Sequence, residues 1–259
     1  ADLTRADHRA LKSGSVSVKH QSGAFAFVLA ALTALSVLGS LCTTSAAAEP
    51  DRSVLPLPEP VRKASSILDA RDATPPPFFT VTAPENAPNV LLILIDDLGF
   101  GGTSAFGGPV RTPSFDRMAK EGVSFANFHT QATCSPTRAS LLSGHNHHAV
   151  NMGGIAEAGT AFPGNTTRIP RETASIAEIL RLNGYNTAAF GKWHQTPPWE
   201  TSVSGPFDLW PTGQGFEKFY GFIGFSTNHW SPAIIDGTNR IQPPKTPGYN
   251  FMTDMADQA

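Results

Sequence analysis

The chain has 259 residues, 40% of them hydrophobic and 15% charged, a balance that excludes a disordered tail, a collagen-like fibre and a polytopic membrane protein. Nineteen basic against twenty-one acidic side chains give a net charge of −2, so nothing in the composition points to nucleic acid, where a strongly basic face is expected. Two cysteines, Cys42 and Cys134, cannot supply a disulfide framework, and 23 glycines with 22 prolines imply many turns between short elements.

In chain order the first feature is a leader. Ala24 to Cys42 is an almost unbroken apolar run, preceded by Arg5, Arg9, Lys12 and Lys19 and followed by Ser45-Ala46-Ala47-Ala48. That is the order of basic, apolar and small-residue regions in a secretory signal. Residues 1–48 are therefore expected to be a signal peptide and the protein to be exported, periplasmic or secreted. It would meet a membrane only through the leader, if that stays uncleaved. Residues 49–88 hold nine prolines, three of them consecutive at Pro75-Pro76-Pro77, and read as an extended, poorly packed linker. Folded structure is expected over residues 89–259.

Val90-Leu91-Leu92-Ile93-Leu94-Ile95 is a continuous apolar run that ends in Asp96-Asp97-Leu98-Gly99. Uniform rather than alternating hydrophobicity predicts a central strand covered on both faces, hence an α/β fold. Ligands in such sheets sit at the carboxyl ends of strands. Two adjacent carboxylates there suit a hard divalent cation, or else form a solvated acidic turn. Thr112-Pro113 then opens a helix closed by Gly122, and a strand-like segment follows over Val123 to Phe128.

Ala132-Thr133-Cys134-Ser135-Pro136-Thr137-Arg138 places a cysteine directly before a helix start, with Ser135 as the expected cap and Pro136 in the first turn. Free N–H groups at that end face an anion near Cys134, and Arg138 lies one turn further in to grip it. By residue type alone Cys134 reads as a buried structural thiol. Further on, Thr173 to Asn183 has helical spacing, with Asn183-Gly184 as its stop, and a short strand is expected from Asn186 to Phe190. Lys192 and His194 follow, two apart. On extended backbone they share a face and offer a cation together with a titratable imidazole, or they are simply a solvated edge.

Cys134-x-Pro136-x-Arg138 followed by Leu141-Leu142-x-Gly144 resembles the first signature of the sulfatases, with Ser143 where the family usually has threonine, alanine or arginine. Gly184-Tyr185-x-Thr187-x-x-Phe190-Gly191-Lys192-Trp193-His194 resembles the second, with Phe190 departing from the small or β-branched residue usual there. Both signatures occur in order, downstream of Asp96-Asp97. The resemblance implies an alkaline phosphatase-like α/β sandwich with a mostly parallel central sheet, of which residues 89–259 form the N-terminal portion.

It also implies hydrolysis of small-molecule or carbohydrate sulfate esters. Asp96, Asp97 and Cys134 would bind calcium. Cys134 would be oxidised to formylglycine by a formylglycine-generating enzyme, and the resulting hydrated aldehyde attacks sulfur with one hydroxyl and releases sulfate through the other. Arg138 would stabilise that group, Lys192 hold the sulfate oxygens, and His194 take part in proton transfer. His229, in Thr227-Asn228-His229-Trp230, is the candidate for a histidine near the leaving group, against a plain loop histidine.

Two alternatives remain open at this point. One is a phosphomonoester or phosphonate monoester hydrolase on the same scaffold. The other is a catalytically incomplete piece, because sulfatases take further calcium ligands and a second lysine from far downstream. On that view the isolated 259-residue chain is expected to bind calcium poorly and to turn over no ester. The histidines at 145, 147 and 148 resemble a metal cluster by count only. Trp193, Trp199 and Trp210 either wall an aromatic substrate or pack in the core.

Overall fold

Two short runs rich in aromatic and small residues, Ala188–Lys192 (β1) and Lys218–Phe222 (β2), pair in parallel at the centre of a computed structural model that describes residues 50–259. The expected leader lies outside the described residues. Gly191 faces Gly221 in the β1–β2 register. The pair is glycine on both sides for a steric reason: a Cβ on Gly221 would run into the Gly191 carbonyl, and Gly191 itself sits at φ +93°. The two strands meet more closely there than a side chain would permit.

β2 continues antiparallel to β3 (Ile234–Asp236), which turns tightly into β4 (Asn239–Ile241), giving the order β1-β2-β3-β4. The α/β class expected from the sequence holds, and within the described residues the sheet is mixed, with one parallel and two antiparallel pairings. Among the described residues four α-helices accompany it: α1 (Pro113–Glu121), α2 (Cys134–Ser143), α3 (Ile176–Leu182) and α4 (Phe251–Gln258). Ser175 caps α3 by accepting the Glu178 N–H, and Asn250 caps α4 by accepting that of Met252. No described helix is long and apolar enough to cross a membrane.

Burial concentrates in three clusters. Ala139, Val150, Met152, Ile169 and Leu209 lie under α2. Trp193, Trp210, Phe219, Ile223 and Ile235 form the second, with Phe207 and Phe216 packed against it. Tyr220, Ile234 and Phe251 join α4 to the sheet. There the Tyr220 and Tyr249 hydroxyls both donate to Asp254 at 2.7 Å. Burial and the adjacent carboxylate push both phenols up from their ordinary range.

The apolar run Val90 to Ile95 departs from expectation. It forms no strand, and its six side chains are between 37% and 83% exposed. A central strand needs neighbours on both edges and a layer on each face, and the described residues supply none of these. Val123 to Phe128 likewise forms no strand, and α1 buries no residue. The proline-rich stretch has no helix or strand, as its composition implies, yet it is tied down. Arg52 donates to the carbonyls of Asn183 and Thr82, each at 2.9 Å, and Leu57 is buried.

Candidate active site

Helix α2 begins at Cys134 itself, after Thr133 in extended conformation, and no side chain caps it. Ser135 has a different task from the cap expected of it. Its buried hydroxyl accepts the Ala156 N–H at 3.1 Å, fastening a short 3-10 turn, Ala156–Ala158, against the start of α2. Cys134 therefore stands in the first turn of a helix whose unpaired N–H groups and dipole favour negative charge. Arg138, one turn on, points back toward the same end.

The ladder between β1 and β2 continues past both strands, with Trp193 N–H donating to Phe222 and His194 N–H to Ile223, each at 2.9 Å. Trp193 is locked by its indole N–H on the Leu209 carbonyl at 2.9 Å. His194 then leaves the extended conformation, at φ +54°. Lys192 and His194 do reach one site. Lys192 is the last residue of β1, and His194 lies beyond the strand at φ +54°.

The resulting cluster has two halves. In one, Asp96 accepts from Lys192 Nζ at 2.8 Å and lies 3.3 Å from an Arg138 guanidinium nitrogen, while Arg138 also donates to the Lys192 carbonyl at 2.7 Å. In the other, the fully buried His194 ring lies with Nδ1 3.2 Å from Cys134 Sγ and Nε2 2.7 Å from Glu157. Phe225 covers both halves, beneath Lys192 Nζ at 4.7 Å and edge-on to the His194 ring at 5.4 Å. Burial works against ionisation of Asp96, but the hydrogen bonds and charges of Lys192 and Arg138 together outweigh it and hold the carboxyl below its ordinary value.

For His194, burial is the largest influence and pushes the imidazole down; the Glu157 carboxylate raises it, Lys192 and Arg138 lower it, and the net effect holds it below its ordinary value. The unfolded chain takes up that proton near the ordinary value of about 6.5. The folded chain takes it up only at lower pH, so between the two values the unfolded state binds more protons. Stability from the neutral ring is present above about 6.5 and lost as the pH falls through the folded-state value. A histidine-ring NMR titration is expected to place His194 below about 6.5, and a higher value would contradict this electrostatic balance.

The structure thus brings together Asp96, Cys134, Arg138, Lys192 and His194. Asp97 adjoins them in sequence but is exposed and left-handed, at φ +54°. His229 stands apart: its ring lies against Trp230, and among the described residues no hydrogen bond or ion pair joins it to the cluster. Trp193 and Trp210 are core, whereas Trp199 is exposed. His147 bonds the Met152 carbonyl at 2.9 Å and stacks on His148 rather than building a metal site. Glu157 is invisible to sequence reasoning, since it sits in a glycine- and alanine-rich loop far from both cysteine and histidine segments.

Asp96 and Asp97 are hard oxygen donors of the kind a divalent cation takes. Among the described residues, however, no group of three or more histidine, cysteine, aspartate or glutamate side chains could hold a metal. Both Asp96 oxygens are already engaged by cations. With roughly six to eight oxygens needed for calcium, these residues do not by themselves make a complete site.

Compared with known proteins, residues 88–259 match the family model described as Sulfatase, and the chain belongs to the sulfatase family. It is 35% identical over 188 residues to an uncharacterised sulfatase of Schizosaccharomyces pombe, covering 69% of this chain and 32% of that one. It is 32% identical over 158 residues to the arylsulfatase of Klebsiella aerogenes, covering 60% and 32%. To human arylsulfatase A it is 36% identical over 136 residues, covering 52% and 25%. The chain spans about a third of the length of the first two relatives. The fold is also similar to the crystal structure of Ps i-CgsB, at TM-score 0.52 and 22% identity over 63% of this chain and 38% of that one. The family generally acts on sulfate esters and uses a formylglycine nucleophile with a divalent metal.

Proposed function

We propose that the protein to which these residues belong is an exported, arylsulfatase-like sulfuric ester hydrolase, with residue 134 as the nucleophile position. The observation that carries this reading is the convergence of Cys134, His194, Lys192 and Arg138 from two distant segments on one end of α2, within a chain of the sulfatase family. Formylglycine made from Cys134 by a maturation enzyme would supply a hydrated aldehyde able both to attack an ester sulfur and to release sulfate. The remaining chemistry falls to side chains already in place. Lys192 and Arg138 present positive charge where sulfate oxygens gather, matched in the free protein by Asp96. His194 stands within hydrogen-bond reach of residue 134 to accept or return a proton.

Asp96, Asp97 and residue 134 would be part of a calcium site completed by donors outside these residues, and the isolated chain is expected to bind calcium poorly and to turn over no ester. His229 is proposed near the leaving group on sequence resemblance alone. Residues 1–48 as a cleaved signal, 49–88 as a linker and 89–259 as the N-terminal part of the catalytic domain complete the reading. The natural ester would be an aryl or carbohydrate sulfate. A solved structure of Ps i-CgsB in complex with k-i-k-neocarrahexaose, at TM-score 0.51 and 22% identity, shares the fold and does not choose between them.

The test is a comparison of an aryl sulfate with the matching aryl phosphate, using the full-length matured protein. Faster turnover of the sulfate is expected. A preference for the phosphate would replace this reading with a phosphomonoester or phosphonate monoester hydrolase on the same scaffold.

A further inference from the structure

Among the described residues no hydrogen bond or ion pair joins Glu157 to Cys134 or Lys192, yet it is the only carboxylate that hydrogen-bonds His194, at 2.7 Å. The imidazole is fully buried, so both ring nitrogens must find partners inside the protein. An ionised carboxylate only accepts, so Nε2 must carry a proton toward it. In the neutral ring this leaves Nδ1 unprotonated, with its lone pair directed at Cys134 Sγ, 3.2 Å away.

The Glu157 turn is registered to the nucleophile's own helix. Ala156, its neighbour, is fully buried and donates to Ser135 Oγ at 3.1 Å, and Ser135 directly follows Cys134. Gln195, also fully buried, donates to the Ser135 carbonyl at 2.9 Å and to the His194 carbonyl at 2.8 Å. The backbones carrying His194, Cys134 and Glu157 are thereby fastened to one another. Lys192 and Arg138 are both paired with Asp96, and among the described residues no carboxylate other than Glu157 is bonded to the ring.

We propose that Glu157 is a positioning residue: by holding the Nε2 proton of His194, it fixes the tautomer and aims Nδ1 as an acceptor at the side chain of residue 134. The kinetic consequence rests on the sulfate ester reading, whereas the tautomer does not. Nitrogen NMR on the full-length protein with labelled histidine is expected to show His194 protonated at Nε2 and bare at Nδ1. The opposite tautomer would overturn the proposal whatever the substrate.

In the matured protein, Glu157→Ala is expected to lower kcat on an aryl sulfate by about 10- to 100-fold, part of what a general acid or base contributes. KM should move by less than about threefold, because Glu157 does not meet the sulfate. Glu157→Gln keeps the volume and an acceptor oxygen, so its loss should be smaller, about 3- to 10-fold, which separates lost orientation from lost folding. Wild-type-like kcat in Glu157→Ala, with wild type active, would overturn the proposal. If wild type itself hydrolyses no aryl sulfate, the sulfatase reading fails and the NMR result still decides the role of Glu157.

Discussion

Cys134→Ala in the full-length matured protein is expected to abolish sulfate ester turnover, with kcat down by on the order of 10⁴-fold or more, as when a covalent nucleophile is removed outright. The protein should still fold. Cys134 is only half-buried, alanine is a good helix former for the first turn of α2, and the fastening of that turn runs through Ser135 and Gln195 rather than through sulfur. Cys134→Ser tests a finer point. A serine hydroxyl beside His194 Nδ1 keeps an oxygen nucleophile but lacks the second hydroxyl on the same carbon, so at most a single burst of alcohol release is expected, without sustained turnover. Steady turnover by either variant would show that residue 134 is not the nucleophile. An unchanged thermal midpoint beside the lost activity would confirm that the effect is chemical.

Trp210→Ala is expected to be the most destabilising single truncation in the described core, at about 3–5 kcal/mol. The side chain has no exposed surface, stacks edge-on against Phe207 at 5.1 Å, and packs with Trp193, Phe219, Ile223 and Ile235. Its indole N–H also satisfies the Glu200 carbonyl at 2.8 Å, and alanine would leave that buried acceptor without a donor. Thermal unfolding should register roughly 2–4 °C per kcal/mol for a domain of this size. The site should feel the change too, because Trp193 lies between Lys192 and His194 and belongs to the same cluster. Trp210→Phe, which refills most of the volume, should cost about half as much. A midpoint unchanged in Trp210→Ala would mean that this cluster does not hold the sheet.

The features legible in the sequence are those with local causes. Pro113 and Gly122 bound α1 and Asn183 closes α3, because caps and breakers act within a turn of their own position. Where a side chain's partner is distant in sequence, local reasoning assigns the wrong task. Ser135 has the residue type and place of a cap and instead bonds Ala156, 21 residues away. Lys192 and His194 have the spacing of neighbours on one strand face, but only Lys192 lies in the strand, and His194 leaves extended backbone at φ +54°. Glu157 carries no local signal, since its meaning depends on a ring 37 residues downstream. Val90 to Ile95 misleads for the opposite reason: its composition describes the burial such a strand requires, and the described residues contain nothing to bury it.

Residue 134 is proposed to be a formylglycine in the working enzyme, and peptide mass spectrometry across Ala132 to Ser143 of protein produced with its maturation enzyme would detect it. The expected result is a residue whose thiol has been replaced by an aldehyde, reactive toward a hydrazine probe and absent from the Cys134→Ala variant. An unmodified cysteine throughout a preparation that hydrolyses sulfate esters would contradict it.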